Sequence, residues 1–169
     1  MSDYIKEFEF KETPKYLTYL EAKPLELNSD YIFFHNKNKF RKDLNRLQYT
    51  FKSYTNNPLM AVGIRDSYLK AEYSDDYLIV VFTTYSIIKN CNEIIEEKIG
   101  IKIEPNCFFL ETTSEYMLLL AKDMKGLNLG IDIMEEILTQ VMDNYLEKKN
   151  YDNYMKIRPF KLSNCPNLF

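Results

Sequence analysis

One histidine, three cysteines and several groups of carboxylates are the residues of this 169-residue chain whose types could do chemistry. His35 lies in Phe34-His35-Asn36-Lys37, at an expected strand-to-helix junction. As a general base it would need an orienting carboxylate and a nucleophile. Neither stands beside it, and it reads as a surface histidine near a helix start. Cys91, Cys107 and Cys165 are odd in number and have no CxxC spacing. That pattern fits thiols in a reducing cytosol better than a disulfide framework. Cys91 and Cys107 read as small core residues, and Cys165 as an exposed thiol in the tail. Gly63, Gly100, Gly126 and Gly130 are the only glycines, and no two are spaced as a phosphate-cradling loop. A single histidine excludes a His-rich zinc site. From these residues no catalytic, cofactor-binding or metal-binding set can be assembled, and no cofactor is expected.

The remaining charges suggest surfaces. Asp30, Asp75, Asp76, Ser114 and Glu115 fall in turns, where backbone reasons favour such residues. Glu93, Glu96, Glu97, Asp132, Glu135 and Glu136 fall on outward helix faces and read as solvated. Residues 37–52 carry six positive charges against one negative, Asp43, in a chain whose net charge is −3. Lys39, Lys42 and Arg46, with Arg41 and Lys52 nearby, form a basic helix face that suits an acidic partner or, less well, phosphates. The aromatic residues of the same helix, Phe40, Phe51 and Tyr54, belong to its buried stripe and cannot stack on bases. Nucleic-acid binding is therefore not expected.

These residues are positioned by a regular order of elements. Residues 1–35 form an N-terminal extension of short alternating segments, interrupted by Pro14 and Pro24, which places them at a sheet edge. Tyr31 to Phe34 is a better strand. Phe40, Leu44, Leu47, Phe51 and Tyr54 make one apolar stripe of a first helix, capped by Asn36 or Asn38 and ended by Asn56-Asn57-Pro58. Leu59–Ile64, Ser67–Tyr73 and Tyr77–Phe82 read as strands. A second helix follows from Thr84 to Ile99, closed by Gly100 in a left-handed conformation. Cys107–Thr112 and Glu115–Lys122 form a hairpin, and a long last helix covers Leu127 to Lys149. Its stripe is Leu127, Ile131, Met134, Leu138, Val141 and Tyr145. Leu129, Ile133 and Ile137 form a second apolar line beside it and, with the basic helix, are candidate partner-binding residues. Residues 151–169, with Arg158-Pro159 and Asn164-Cys165-Pro166, read as an irregular tail.

The whole is a single domain, long enough for a proper core. Short turns between successive strands imply an α+β fold, an antiparallel sheet with its helices packed on one face. The uncharged runs Tyr77–Phe82 and Tyr116–Ala121 should be central. A strand–strand–helix unit is echoed at an offset of 39 residues, with Tyr77 answering Tyr116 and Ile94 answering Ile133. A fainter first copy begins at Ser29. No run approaches the roughly 18 apolar residues of a membrane span. The residues Met1 to Glu7 lack the features of a signal peptide. A cytoplasmic protein is expected.

From Phe40 to Asn150 the element order, the long final helix and the Phe109-Leu110-Glu111 strand turning into Tyr116–Leu120 resemble the small chaperones of type III secretion and the related YbjN-like proteins. The resemblance implies a non-catalytic, often dimeric protein that binds a partner polypeptide. The N-terminal extension departs from that pattern. The expected function is thus non-enzymatic, adaptor- or chaperone-like binding of a protein partner or a second copy. The alternatives are a small-ligand domain with a pocket between sheet and last helix, and a nucleic-acid binder using residues 39–54. The surplus apolar line on the last helix suggests a homodimer, unless the N-terminal extension covers it.

Overall fold

A computed structural model describes residues 4–27, 31–36, 41–55, 60–63, 77–84, 91–147 and 155–166. Their elements are β1 (Tyr16–Tyr19), β2 (Leu25–Leu27), β3 (Tyr31–His35), α1 (Arg41–Thr55), β4 (Met60–Gly63), β5 (Leu78–Thr84), α2 (Cys91–Ile99), β6 (Phe108–Thr112), β7 (Tyr116–Ala121), α3 (Met124–Glu147), β8 (Met155–Ile157) and β9 (Phe160–Ser163). The fold is α+β. Seven strands form one sheet in the order β1-β9-β6-β7-β5-β3-β4, and β2 pairs with β8 in a separate ribbon. Every pairing is antiparallel except β3 with β4. That parallel pair is joined through α1, the kind of long connection a parallel pair requires.

The two uncharged runs are central, as their composition demands. β5 lies between β3 and β7, and β7 lies between β5 and β6. All six residues of β7 are buried. An edge strand of that composition would expose unpaired backbone beside apolar side chains. The proline-flanked β1 is an edge strand, as expected.

Side chains alternate across the sheet and feed two cores. Phe33, Val80, Phe82, Leu110, Met117, Leu119, Phe160 and Leu162 face α1 and α3, whose Leu44, Leu47, Phe51, Leu127, Ile131, Met134 and Leu138 close that core. Ile32, Phe34, Ile79, Val81, Phe109, Leu118 and Leu120 point the other way, onto Ile94 and Ile95 of α2. The expectation that the helices gather on one face is therefore corrected: α1 and α3 cover one face and α2 the other. Coverage on both faces is why β5 and β7 are apolar without a break.

The same observation removes the repeat. With Tyr77 laid on Tyr116, Leu78 and Met117 both face α1 and α3, and Ile79 and Leu118 both face α2. The strands then agree in phase, but their following helices go to opposite faces, so the two units do not superpose. The strand expected at Ser67–Tyr73, the acidic turn at Asp75-Asp76, Asp30, Asn38, Lys39, Ile87 and Lys148-Lys149 lie outside the described residues.

Further corrections concern the ends of elements. The C-terminal segment is not irregular: Met155–Ile157 pairs with β2, and Phe160–Ser163 enters the main sheet between β1 and β6. His35 is no surface residue; it is fully buried as the last residue of β3, opposite Gly63 and Val80. Asn36 does not cap α1 from its side chain. Its amide accepts from Ile79 N–H at 2.8 Å and donates to the Tyr77 carbonyl at 2.5 Å, extending the β3–β5 pairing. Among the described residues no glycine has a positive φ, so Gly100 does not close α2 in the left-handed region; Asn106, at φ 67°, adopts it instead.

α3 begins three residues earlier than its apolar stripe, at Met124, because Asp123 caps it. The Asp123 carboxylate accepts from Gly126 N–H at 2.8 Å and from Asn106 N–H at 2.9 Å. Gly126 is required there: a Cβ would lie 2.3 Å from the Cys107 carbonyl oxygen. Among the described residues, no helix is long and apolar enough to cross a membrane.

Candidate functional site

The α3 residues Leu129, Asp132, Ile133, Glu136 and Gln140 are spaced by three and four, which puts them on one stripe beside the buried one. The N-terminal extension is held against the C-terminal half of that stripe. Glu9 N–H donates to Gln140 Oε1 at 2.8 Å, and Gln140 Nε2 donates back to the Glu9 carbonyl at 2.6 Å. Two residues later, Lys11 N–H donates to Glu136 Oε1 at 3.0 Å. Phe8 anchors the segment: it is 7% exposed, its N–H donates to Tyr19 Oη at 2.8 Å, and its ring stands edge-on to Phe160 at 5.6 Å between centroids. Ile5 and Phe10 pack against the same core.

Beyond Lys11 the segment and α3 separate, leaving an open groove of about 500 Å³. Lys11 to Lys15 form one wall, Leu129, Asp132, Ile133, Glu135 and Glu136 the other, and Phe108, Ser163 and Asn164 the end. This is within the size range of a ligand site. Leu129 is 38% exposed, one of four large apolar side chains so exposed among the described residues.

Three of the six candidate partner-binding residues converge here. Leu129 and Ile133 line the groove, and Arg46 of α1 borders it, paired with Asp132 and, at 3.9 Å, with Glu135. Those carboxylates, which stay partly exposed to solvent as expected, and Glu136 also make contacts within the chain. Lys42 is exposed on α1 away from these contacts. Lys39 lies outside the described residues. Ile137 is not available to a partner: it is fully buried in the core, one position round the helix from Ile133.

The end of the groove is fixed by a clasp that sequence reading missed. Cys107 and Cys165 form a disulfide, with Cα atoms 5.8 Å apart, which corrects the reading of Cys165 as an exposed thiol and of the cysteines as unpaired. Asn164 Oδ1 accepts from Phe108 N–H at 2.8 Å, Asn164 Nδ2 donates to the Asn106 carbonyl at 2.8 Å, and Ser163 Oγ donates to the Phe108 carbonyl at 2.8 Å. The side chain of Cys91 lies outside what is described.

A second polar centre sits on the opposite face of the sheet. Glu111 of β6, 2% exposed, accepts from Lys98 Nζ of α2 at 2.9 Å and from Tyr116 Oη at 3.0 Å, with Lys161 Nζ at 3.8 Å. Burial, and then the charge of Glu111, pushes the Tyr116 phenol far above its ordinary range. The phenol is therefore a fixed hydrogen-bond donor, and the cluster ties α2 to β6, β7 and β9. Beside it lies a smaller hollow of about 320 Å³, lined by Glu93, Ile94, Glu97, Tyr116 and the β6–β7 turn. Every polar group named in this cluster has a partner, so it reads as a structural tie. Among the described residues no three metal-ligating side chains gather into a metal site.

Gln140, Phe108, Ser163 and Asn164 were not singled out in the sequence. The spacing of Glu136 and Gln140, one turn apart beside an apolar stripe, is the only local signal that marks any of them. No protein-family model matches the chain, and no curated protein matches it.

Proposed function

We propose that this chain is a non-catalytic, adaptor- or chaperone-like domain that binds another polypeptide in the groove between residues 11–15 and α3. One observation carries the reading: α3 already holds a stretch of backbone that belongs to no strand or helix. Gln140 both donates to and accepts from the main chain of Glu9, and Glu136 accepts from Lys11 N–H. Side chains that meet backbone groups in both senses are suited to extended polypeptide whatever its side chains. The groove continues that path with an apolar floor and a charged rim.

A second reading, a small-ligand site, is favoured by the volume of about 500 Å³ and the partly apolar lining of Phe108, Leu129 and Ile133. Nucleic-acid binding through Lys42 and its neighbours is the third. A second copy of the chain is a further candidate occupant, although the extension already lies against Glu136 and Gln140 of α3 within one chain.

The experiment is capture by the immobilised full chain from native extract, compared with Leu129→Asp and Lys42→Glu. The expected result is a nuclease-resistant polypeptide retained by the unaltered chain and by Lys42→Glu, and lost by Leu129→Asp at an unchanged melting temperature. Retention of nucleic acid that Lys42→Glu abolishes, or equal retention by all three chains, would overturn the proposal. A cytoplasmic setting is proposed with it. Disulfides are rare in that compartment, so the Cys107–Cys165 bond stands against it; alkylation in intact cells decides, reduced cysteines supporting the cytoplasmic setting and protected ones placing the chain in an oxidising one.

A further inference from the structure

The N-terminal segment lies against the α3 stripe at Glu136 and Gln140, and the way it is held differs from the way the rest of the chain is held. Residues 4–15 form no strand and contribute no ladder hydrogen bond. Phe8, Glu9 and Lys11 are held by hydrogen bonds to side chains, two of them on Gln140, one on Glu136 and one on Tyr19. The segment's apolar anchors are Phe8, fully in the core, and Phe10 and Ile5 at its margin. Phe8 and Phe10 meet each other at 6.4 Å between centroids. The polar residues between and beside them, Glu7, Glu9 and Lys11, are exposed. The segment is thus a ligand with an aromatic–x–aromatic pattern, bent on either side of residues 8–10. Its recognition uses two aromatic anchors, with Ile5 beside them, and the main chain.

We propose that residues 4–11 are a built-in pseudo-ligand, and that the partner is a polypeptide segment with the same aromatic–x–aromatic pattern, which displaces them from Gln140, Glu136 and Tyr19 as it enters the groove. The inference rests on the polypeptide-binding reading above and adds the partner's chemistry and the means by which access is limited. Displacement is physically open because the segment can leave without breaking the sheet. The β1–β9 pairing begins only at Tyr16. Residues 12–15, which include Pro14, line the groove rather than filling it. Local openings of weakly held segments occur at free energies well below that of global unfolding. A tethered segment competes at an effective concentration on the order of millimolar, so the resident segment would exclude weak partners and admit strong ones.

The test uses a fluorescent synthetic peptide of residues Tyr4 to Lys15 as the probe, titrated into the full chain. The unaltered chain should bind it weakly. A full chain carrying Phe8→Ala and Phe10→Ala, whose own segment competes less well, should bind it at least tenfold more tightly. Adding Gln140→Ala to that chain should remove the gain. The peptide with both phenylalanines replaced by alanine should bind neither chain. Equal affinity for the unaltered and the Phe8→Ala, Phe10→Ala chains, or no binding to either, would overturn the inference. It would leave the groove reading standing if Leu129→Asp still abolishes capture of a polypeptide. Hydrogen exchange on the unaltered chain gives a check that no variant can confound. The amides of Phe8, Glu9 and Lys11 should exchange at least 100-fold faster than those of Leu118, Leu119 and Leu120. Equal protection would mean that the segment leaves only on global unfolding, and would also overturn it.

Discussion

The two faces of the sheet are built from alternate residues of the same strands, yet they are closed in different ways. The α1/α3 face is sealed by long helices and by a continuous apolar cluster running from Phe8 to Leu162. The α2 face is sealed by nine residues of helix, two isoleucines and a buried carboxylate with two lysines and a tyrosine around it. A long helix buries enough apolar surface to hold itself and still has a stripe to spare, and that stripe became the groove. A short helix cannot, and an ion cluster ties it down. A buried ion pair gives specificity of placement more than net stability, because desolvation offsets most of its attraction.

Mutations on the two faces should separate these modes. Phe82→Ala strikes the apolar face where Phe82 meets Tyr31 and Phe33 at 5.2 and 4.5 Å between centroids. It should cost about 4 kcal/mol in denaturant unfolding. Glu111→Ala leaves the largely enclosed Lys98 with only the longer contact to Glu97, at 3.9 Å, and should cost about 3 kcal/mol. Exchange should rise in α2 well before it rises in α3. If α2 and α3 lose protection together, the two faces are not independently closed.

Tyr116→Phe is gentler, at about 1.5 kcal/mol for a hydrogen bond to a charged acceptor. It also carries a pH signature. The folded phenol is held above the unfolded value of about 10. The unfolded chain therefore loses this proton first as the solution is made alkaline. Stability from this group is complete below that value and falls as pH rises beyond it. The unaltered chain should lose stability more steeply above pH ~10 than Tyr116→Phe does; identical slopes would remove the cluster from the account. The smallest effect is that of Leu129→Asp, which should change unfolding by less than about 0.5 kcal/mol. A site residue on the spare stripe is separable from the core, unlike its neighbour Ile137.

Much of this architecture could be read from the chain. Helix α1 declares itself by periodicity, and the β6–β7 hairpin and the strand Tyr31 to Phe34 by their apolar runs. The unbroken apolar run of β5 carried a further signal that a one-face reading overlooks. A strand covered on one face alternates, so a run such as Leu78 to Phe82 implies cover on both. The C-terminal strands were hidden differently. Met155-Lys156-Ile157 and Phe160-Lys161-Leu162 do alternate, but each is short and lies next to proline. Their partners, β2 and β1 with β6, are far away in sequence, and no local pattern encodes such pairings. The disulfide was invisible for the same reason, with 58 residues of separation. The groove was half legible. Leu129 and Ile133 stood out as surplus, whereas Ile137 went into the core because α3 lies rotated by part of a turn from the assumed stripe. The role of Gln140 depends wholly on where residues 4–15 come to rest.

The most direct test of the account compares the two faces in one experiment. A photo-crosslinking amino acid is placed in the full chain at Leu129, in the groove, or at Glu93, exposed on α2, and each chain is irradiated in native extract. The account predicts discrete polypeptide adducts from Leu129 and none from Glu93. Adducts from Glu93 alone, equal adducts from both, or none from either would contradict it.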